Sequence, residues 1–124
     1  MTLKELSALI DGDYDRAMNV LRIEKLLDKH IRRFPQNGIV DSLVGAGTSM
    51  DANGIFESAH ALKGVCANLG LVKMASEASE LTEEFRPGST RKLSDGDIRA
   101  KISAINEMYK KASEGIRLYE QSAQ

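Results

Sequence analysis

The chain has 124 residues, 28% of them charged and 42% apolar, with a net charge of −1 and one cysteine, Cys66. That length suffices for one domain with a modest core, and the composition excludes a disulfide framework, a membrane span of about 20 apolar residues and nucleic-acid binding driven by bulk charge. With no tryptophan, three phenylalanines and three tyrosines, a base-stacking platform is not expected either.

Strand signals are nearly absent, and helical periodicity runs through almost the whole sequence. Residues 3–10 form a short amphipathic piece with Leu3, Leu6, Leu9 and Ile10 apolar. Asp11-Gly12-Asp13 breaks it and supplies the next N-cap. From Tyr14 to Phe34 the apolar positions are Ala17, Met18, Leu21, Ile23, Leu26, Leu27, Ile31 and Phe34, with an interruption expected near Asn19–Arg22. Pro35 ends this segment. Asn37 can cap a third one, with Ile39, Val40, Leu43 and Val44 inward and Gly45 and Gly47 weakening its end.

Asp51 caps a central helix whose seam is Ile55, Ala59, Leu62, Cys66 and Leu69, a 4-3-4-3 spacing suited to a bundle. Gly70 is its stop. The following helix begins near Leu71, carries Leu71, Met74, Ala75, Ala78, Leu81 and Phe85 on one face, and ends at Pro87-Gly88. After a polar linker at 88–94, Ser94 or Asp95 starts a last helix with Ile98, Ile102, Ile105, Tyr109, Ala112, Ile116 and Tyr119 recurring at three and four. The tail Gln121–Gln124 is expected to fray. Short connections favour antiparallel neighbours. The expectation is therefore all-α: an antiparallel up-and-down four-helix bundle with additional short N-terminal helices. Its main helices are placed at about 21–34, 51–69, 71–86 and 95–120. Segment 37–49 either extends the core or leads into the central helix. The whole chain, 1–124, reads as a single domain with its core bundle at about 21–120.

His60 stands one residue off the central seam, at its edge or outside. Lys63 follows at i+3 and Gly64 at i+4, on the same face, with Cβ spacings of about 5–6 Å. Phe56 and Glu57 lie one turn before, and Ala67 lies almost directly below. A strip of Phe56, His60, Lys63, Gly64 and Ala67 leaves room for another protein to approach. Neutral imidazole has a free lone pair and is a nucleophile near neutral pH. A phosphorylated ring nitrogen carries about two negative charges, which Lys63 can screen as a flexible point cation. His30 sits among Lys29, Arg32 and Arg33 and reads as solvated; one cysteine and two separated histidines make no zinc motif. Cys66 reads as a small core hydrophobe, the methionines as core fillers, and Arg86 as a helix C-terminal cation.

Residues 59–70, Ala-His-Ala-Leu-Lys-Gly-Val-Cys-Ala-Asn-Leu-Gly, resemble the signature of histidine-containing phosphotransfer (HPt) domains, H-x-L-K-G followed by small residues and Leu-Gly. The resemblance implies a four-helix bundle whose central histidine accepts phosphate from a receiver-domain aspartate and passes it to another receiver. It carries His60 over as phosphoacceptor, Lys63 as the phosphoryl-stabilising cation and Gly64 as the access position. It extends to Gly12-Asp13-Tyr14-Asp15, to Glu80-Leu81, and to Arg86, where some members place a basic residue facing the histidine. Two positions depart from the pattern. Ala61 replaces the common Thr or Ser after the histidine, and Thr82 stands where some members place a glutamine that holds the ring. Phe56, Glu57, Ala67, Thr82 and Arg86 are then the expected partner-binding residues.

No glycine-rich loop followed by Lys-Ser/Thr is present, so the chain is read as a phosphoryl carrier without its own ATP site. The expected partners are response-regulator receivers or a hybrid histidine kinase, with no nucleic acid and no membrane. The chain itself is expected to need no cofactor, with Mg2+ on the receiver. A monomer in the cytoplasm is the default. Two other readings fit the sequence: a receiver-binding helical module that accepts no phosphate, and the phosphoacceptor domain of a chemotaxis-type kinase. The short length and the Met1 start favour a stand-alone relay protein.

Overall fold

The computed structural model of the protein describes residues 1–122; Ala123 and Gln124, the end of the expected frayed tail, lie outside the described residues. Seven α-helices and one short 3-10 helix appear among those residues: α1 Leu3–Leu9, α2 Tyr14–Leu21, α3 Glu24–Arg33, the 3-10 turn Phe34–Gln36, α4 Ile39–Ser49, α5 Ala52–Leu69, α6 Val72–Phe85 and α7 Asp95–Ser122. Their starts follow local capping chemistry. Thr2 and Glu5 form a reciprocal capping box on α1. The Asp13 and Asp51 carboxylates accept the N–H groups of Arg16 and Gly54. The Ser94 hydroxyl accepts the N–H of Asp97 at the start of α7.

Most seam positions read from the sequence are buried in the core, with Ala75 and Tyr109 half-buried at its edge. Ile55, Ala59, Leu62, Cys66 and Leu69 of α5 are all buried, as are Met74, Ala78, Leu81 and Phe85 of α6 and Ile98, Ile102, Ile105, Ala112, Ile116 and Tyr119 of α7. Burial pushes the Cys66 thiol up to about 12, so it stays a protonated, inert core group at neutral pH. No helix of the described residues is long and apolar enough to cross a membrane.

Helices α4, α5, α6 and α7 each pack on the next, and α7 packs back on α4. The turn at Gly70 joins the near ends of α5 and α6, while Arg86 at the far end of α6 lies over Phe56 near the start of α5. These two helices therefore run antiparallel. On α7, Lys101 pairs with Glu77 and Glu80 of α6, while Lys111 pairs with Asp11 after α1.

The first side of the core departs from the sequence reading. The interruption expected near Asn19–Arg22 falls at Arg22, with φ 70°, and at the extended Ile23, so α2 and α3 are separate and the helix expected at 21–34 begins at Glu24. Asn37 caps α4 as expected, though from one position before the Ncap. Gly38 occupies the Ncap with φ 74°, and the Asn37 side chain accepts the N–H of Ile39. Helices α3 and α4 then line α7 together. The Tyr119 hydroxyl donates to Asp28, the Tyr109 hydroxyl donates to the Pro35 carbonyl at 2.7 Å, and Ile102 packs on Gly47. Segment 37–49 thus belongs to the core side, with Val40 and Leu43 buried, whereas Ile23 and Leu26 are exposed. The physical reason is length. Ten residues of α3 span about 15 Å, too little to flank a 28-residue helix alone.

Helix α2 packs against α5, and the two approach closely at Gly70. The Asp13 N–H donates to the Gly70 carbonyl at 2.8 Å. A Cβ at Gly70 would lie 2.2 Å from the Asp13 carbonyl oxygen, and Gly70 also has φ 73°. This one glycine therefore ends α5, turns the chain into α6 and receives the start of α2.

Candidate functional site

The seam of α5 fixes the orientation of everything else on that helix. With positions 55, 59, 62, 66 and 69 buried, His60 is carried onto solvent beside α6, and it is exposed. Its imidazole stacks on Phe56, one turn before, with ring centroids 5.8 Å apart and planes at 29°. Phe56 is half-buried against the core and gives the imidazole a fixed apolar support. No hydrogen-bond partner fixes a ring nitrogen among the described residues.

Lys63 is half-buried on the same side of α5 and makes no ion pair among the described residues. With Arg16 of α2, Ala67 of α5 and Val72 and Ala75 of α6 it lines a shallow groove of about 290 Å³. Val72 is 40% exposed there. Ala67 is exposed one turn beyond Gly64, as the sequence strip predicts.

Gly64 is exposed, and a Cβ built on it would meet nothing within 4 Å. Internal packing therefore does not explain a residue that costs about 1 kcal/mol in a helix interior. Gly64→Ala is expected to raise folding stability by about 0.5–1 kcal/mol, read as an upward shift of the urea midpoint. A lower midpoint would mean that the glycine serves the fold.

Helix α6 contributes differently from expectation. Thr82 is fully buried, and its hydroxyl donates to the Ala78 carbonyl at 2.8 Å. It can neither hold the His60 ring nor touch a partner, because the register of α6 turns it into the core. Arg86 is the C-cap of α6, as a helix-end cation should be, but it also reaches the site. Its guanidinium lies over the Phe56 ring at 5.6 Å from the centroid and donates two hydrogen bonds to Glu83, at 2.8 and 3.0 Å.

Glu83 is the residue that sequence reasoning missed. Its carboxyl is held below the usual carboxylate range by the Arg86 hydrogen bonds first, with smaller contributions from the positive charges of Lys63 and His60. It therefore lies within electrostatic reach of both. The available signal was its i,i+3 spacing to Arg86; which way the pair faces depends on how α6 docks on α5. Glu57, by contrast, is exposed and joins no ion pair among the described residues. His30 is exposed on α3, apart from this cluster.

The assembled site is a solvent-facing imidazole on an aromatic support, with an unpaired ammonium on its own helix, a tethered guanidinium and carboxylate on the next, and bare backbone one turn below. Such a group can act as a nucleophile toward a reagent brought by another molecule, and the two cations can screen an anion bound to the ring. Among the described residues no three His, Cys, Asp or Glu side chains converge as metal ligands would. No curated protein and no solved structure matches the chain significantly. The family model of the Hpt domain, however, matches residues 17–115, from α2 through most of α7. The helical fold, the exposed histidine on its central helix and this match over most of the chain agree, and the chain belongs to the Hpt domain family.

Proposed function

We propose that the protein is a phosphorelay intermediate built on an antiparallel up-and-down four-helix bundle, with His60 as the phosphoacceptor. Hpt domains act in histidine phosphotransfer and work with receiver domains and kinases. The observation that carries the assignment to His60 is its exposed imidazole beside Gly64, whose missing side chain opens space that this chain itself does not use. A receiver docks over α5 and α6, covering the imidazole, Phe56, Gly64 and Ala67, with Val72 and the Lys63 groove at the margin. Glu57 and Arg86 lie at the other end of that footprint.

In the transfer step the His60 lone pair, expected on Nε2, attacks the phosphorus of the receiver's aspartyl phosphate. The phosphorus–oxygen bond breaks as the phosphorus–nitrogen bond forms, the receiver carboxylate leaves with the electron pair, and the ring's other N–H releases its proton to water as needed. The reverse attack by a second receiver's carboxylate regenerates the free imidazole. Any Mg2+ belongs to the receiver. This chain supplies position, access and charge screening, and no nucleotide-driven step of its own.

The test is transfer from phosphorylated receivers to the purified protein. Label that is acid-labile, alkali-stable and mapped to His60 is the expected result. Receiver binding without such label would instead identify a non-phosphorylated binding module. Lys63→Ala is expected to shorten the phosphohistidine lifetime by about two- to fivefold, the worth of one exposed charge contact, with an unchanged thermal melt. An unchanged lifetime would remove Lys63 from the site.

A further inference from the structure

We propose that Glu83 is a positioning residue: it tethers Arg86 while the imidazole is free and yields it once His60 carries a phosphoryl group, so that Glu83 sets how long the group is held. This rests on the acceptor reading of His60.

The geometry gathers the parts around one aromatic ring. The His60 imidazole and the Arg86 guanidinium both rest against the Phe56 ring, at 5.8 Å and 5.6 Å from its centroid. The guanidinium is held in that place by two hydrogen bonds to Glu83. Arg86 and Glu83 side chains are 44% and 58% exposed, so the pair is solvated and weak enough to be opened by a competitor. A phosphoryl group on the ring would be such a competitor. It carries about two negative charges, offers three acceptor oxygens, and suits the planar guanidinium fork better than one carboxylate does.

Glu83 also feels the charges of Lys63 and His60, so it repels an anion bound at that ring, and through its two hydrogen bonds it competes for Arg86. The tether thus weakens the hold on the phosphoryl group and favours its onward transfer. A carrier benefits from that balance, because a group held too firmly is not passed on.

The whole chain can be phosphorylated with phosphoramidate, whose phosphorus–nitrogen bond breaks with loss of ammonia as the bond to the imidazole nitrogen forms. After removal of the donor, loss of phosphohistidine is followed by 31P NMR in wild type, Glu83→Gln, Glu83→Asp, Arg86→Ala and the Glu83→Gln/Arg86→Ala double variant. Glu83→Gln is expected to lengthen the half-life about threefold, Arg86→Ala to shorten it, and Glu83→Asp to behave like wild type. In the Arg86→Ala background the Glu83→Gln gain should vanish, which a merely structural role would not produce. Equal half-lives for wild type and Glu83→Gln, or the same gain without Arg86, overturn the proposal and leave the acceptor reading intact. If neither phosphoramidate nor any receiver labels His60, the acceptor reading falls and the proposal with it.

Discussion

His60→Gln is expected to reduce phosphoryl acceptance to background while leaving the fold in place. Glutamine keeps a polar side chain of similar reach, but its amide nitrogen has no available lone pair and cannot form a stable phosphoryl bond. The imidazole is exposed and its one close aromatic contact is the stack on Phe56. Losing an exposed contact of that kind should change stability by less than about 1 kcal/mol. Circular dichroism and urea midpoints close to wild type, together with absent acid-labile label after incubation with a phosphorylated receiver, are the joint expected result. Label that persists in the variant would move the acceptor elsewhere. His30, the other histidine, stands on α3 away from the Lys63–Phe56–Arg86 cluster and should never label.

Gly70→Ala is expected to be the most damaging small substitution in the signature segment, at about 3–5 kcal/mol of folding stability. Two costs add. An alanine in the left-handed region that Gly70 occupies, φ 73°, costs about 1–2 kcal/mol. The new methyl would also sit 2.2 Å from the Asp13 carbonyl oxygen, a backbone atom that cannot rotate aside. Relief requires α2 to move off the end of α5, which breaks the 2.8 Å hydrogen bond from the Asp13 N–H to the Gly70 carbonyl. Gly38→Ala provides the control. Gly38 has nearly the same backbone conformation, φ 74°, but nothing lies within 4 Å of its added Cβ. It should lose only the conformational cost, about 1–2 kcal/mol. Urea denaturation of both variants isolates the close approach; equal losses would show that the contact with Asp13 contributes nothing.

The two glycines of the signature therefore do opposite things. Gly64 costs the fold stability and opens the surface, whereas Gly70 is demanded by the fold. Sequence spacing distinguishes them only partly. A glycine at the end of an apolar seam reads as a helix stop, and Gly70 is one. That it also receives the backbone of α2 is a contact between residues 57 positions apart, which no local pattern encodes.

The sequence by itself determined the helical class, the seams of α5, α6 and α7 and the face on which His60, Lys63, Gly64 and Ala67 stand together. These follow from side-chain periodicity and capping, which are local: a residue one position off a buried seam is rotated about 100° from it whatever the rest of the chain does. The tertiary structure decided what depends on two helices meeting. It joined α3 and α4 into one side along α7, left Ile23 and Leu26 in solvent, and set the register of α6 on α5. One residue of register is the difference between Thr82, sealed in the core, and Glu83, facing the charges around His60. Both positions fit an amphipathic helix, and packing of Ala78, Leu81 and Phe85 into the core selects between them.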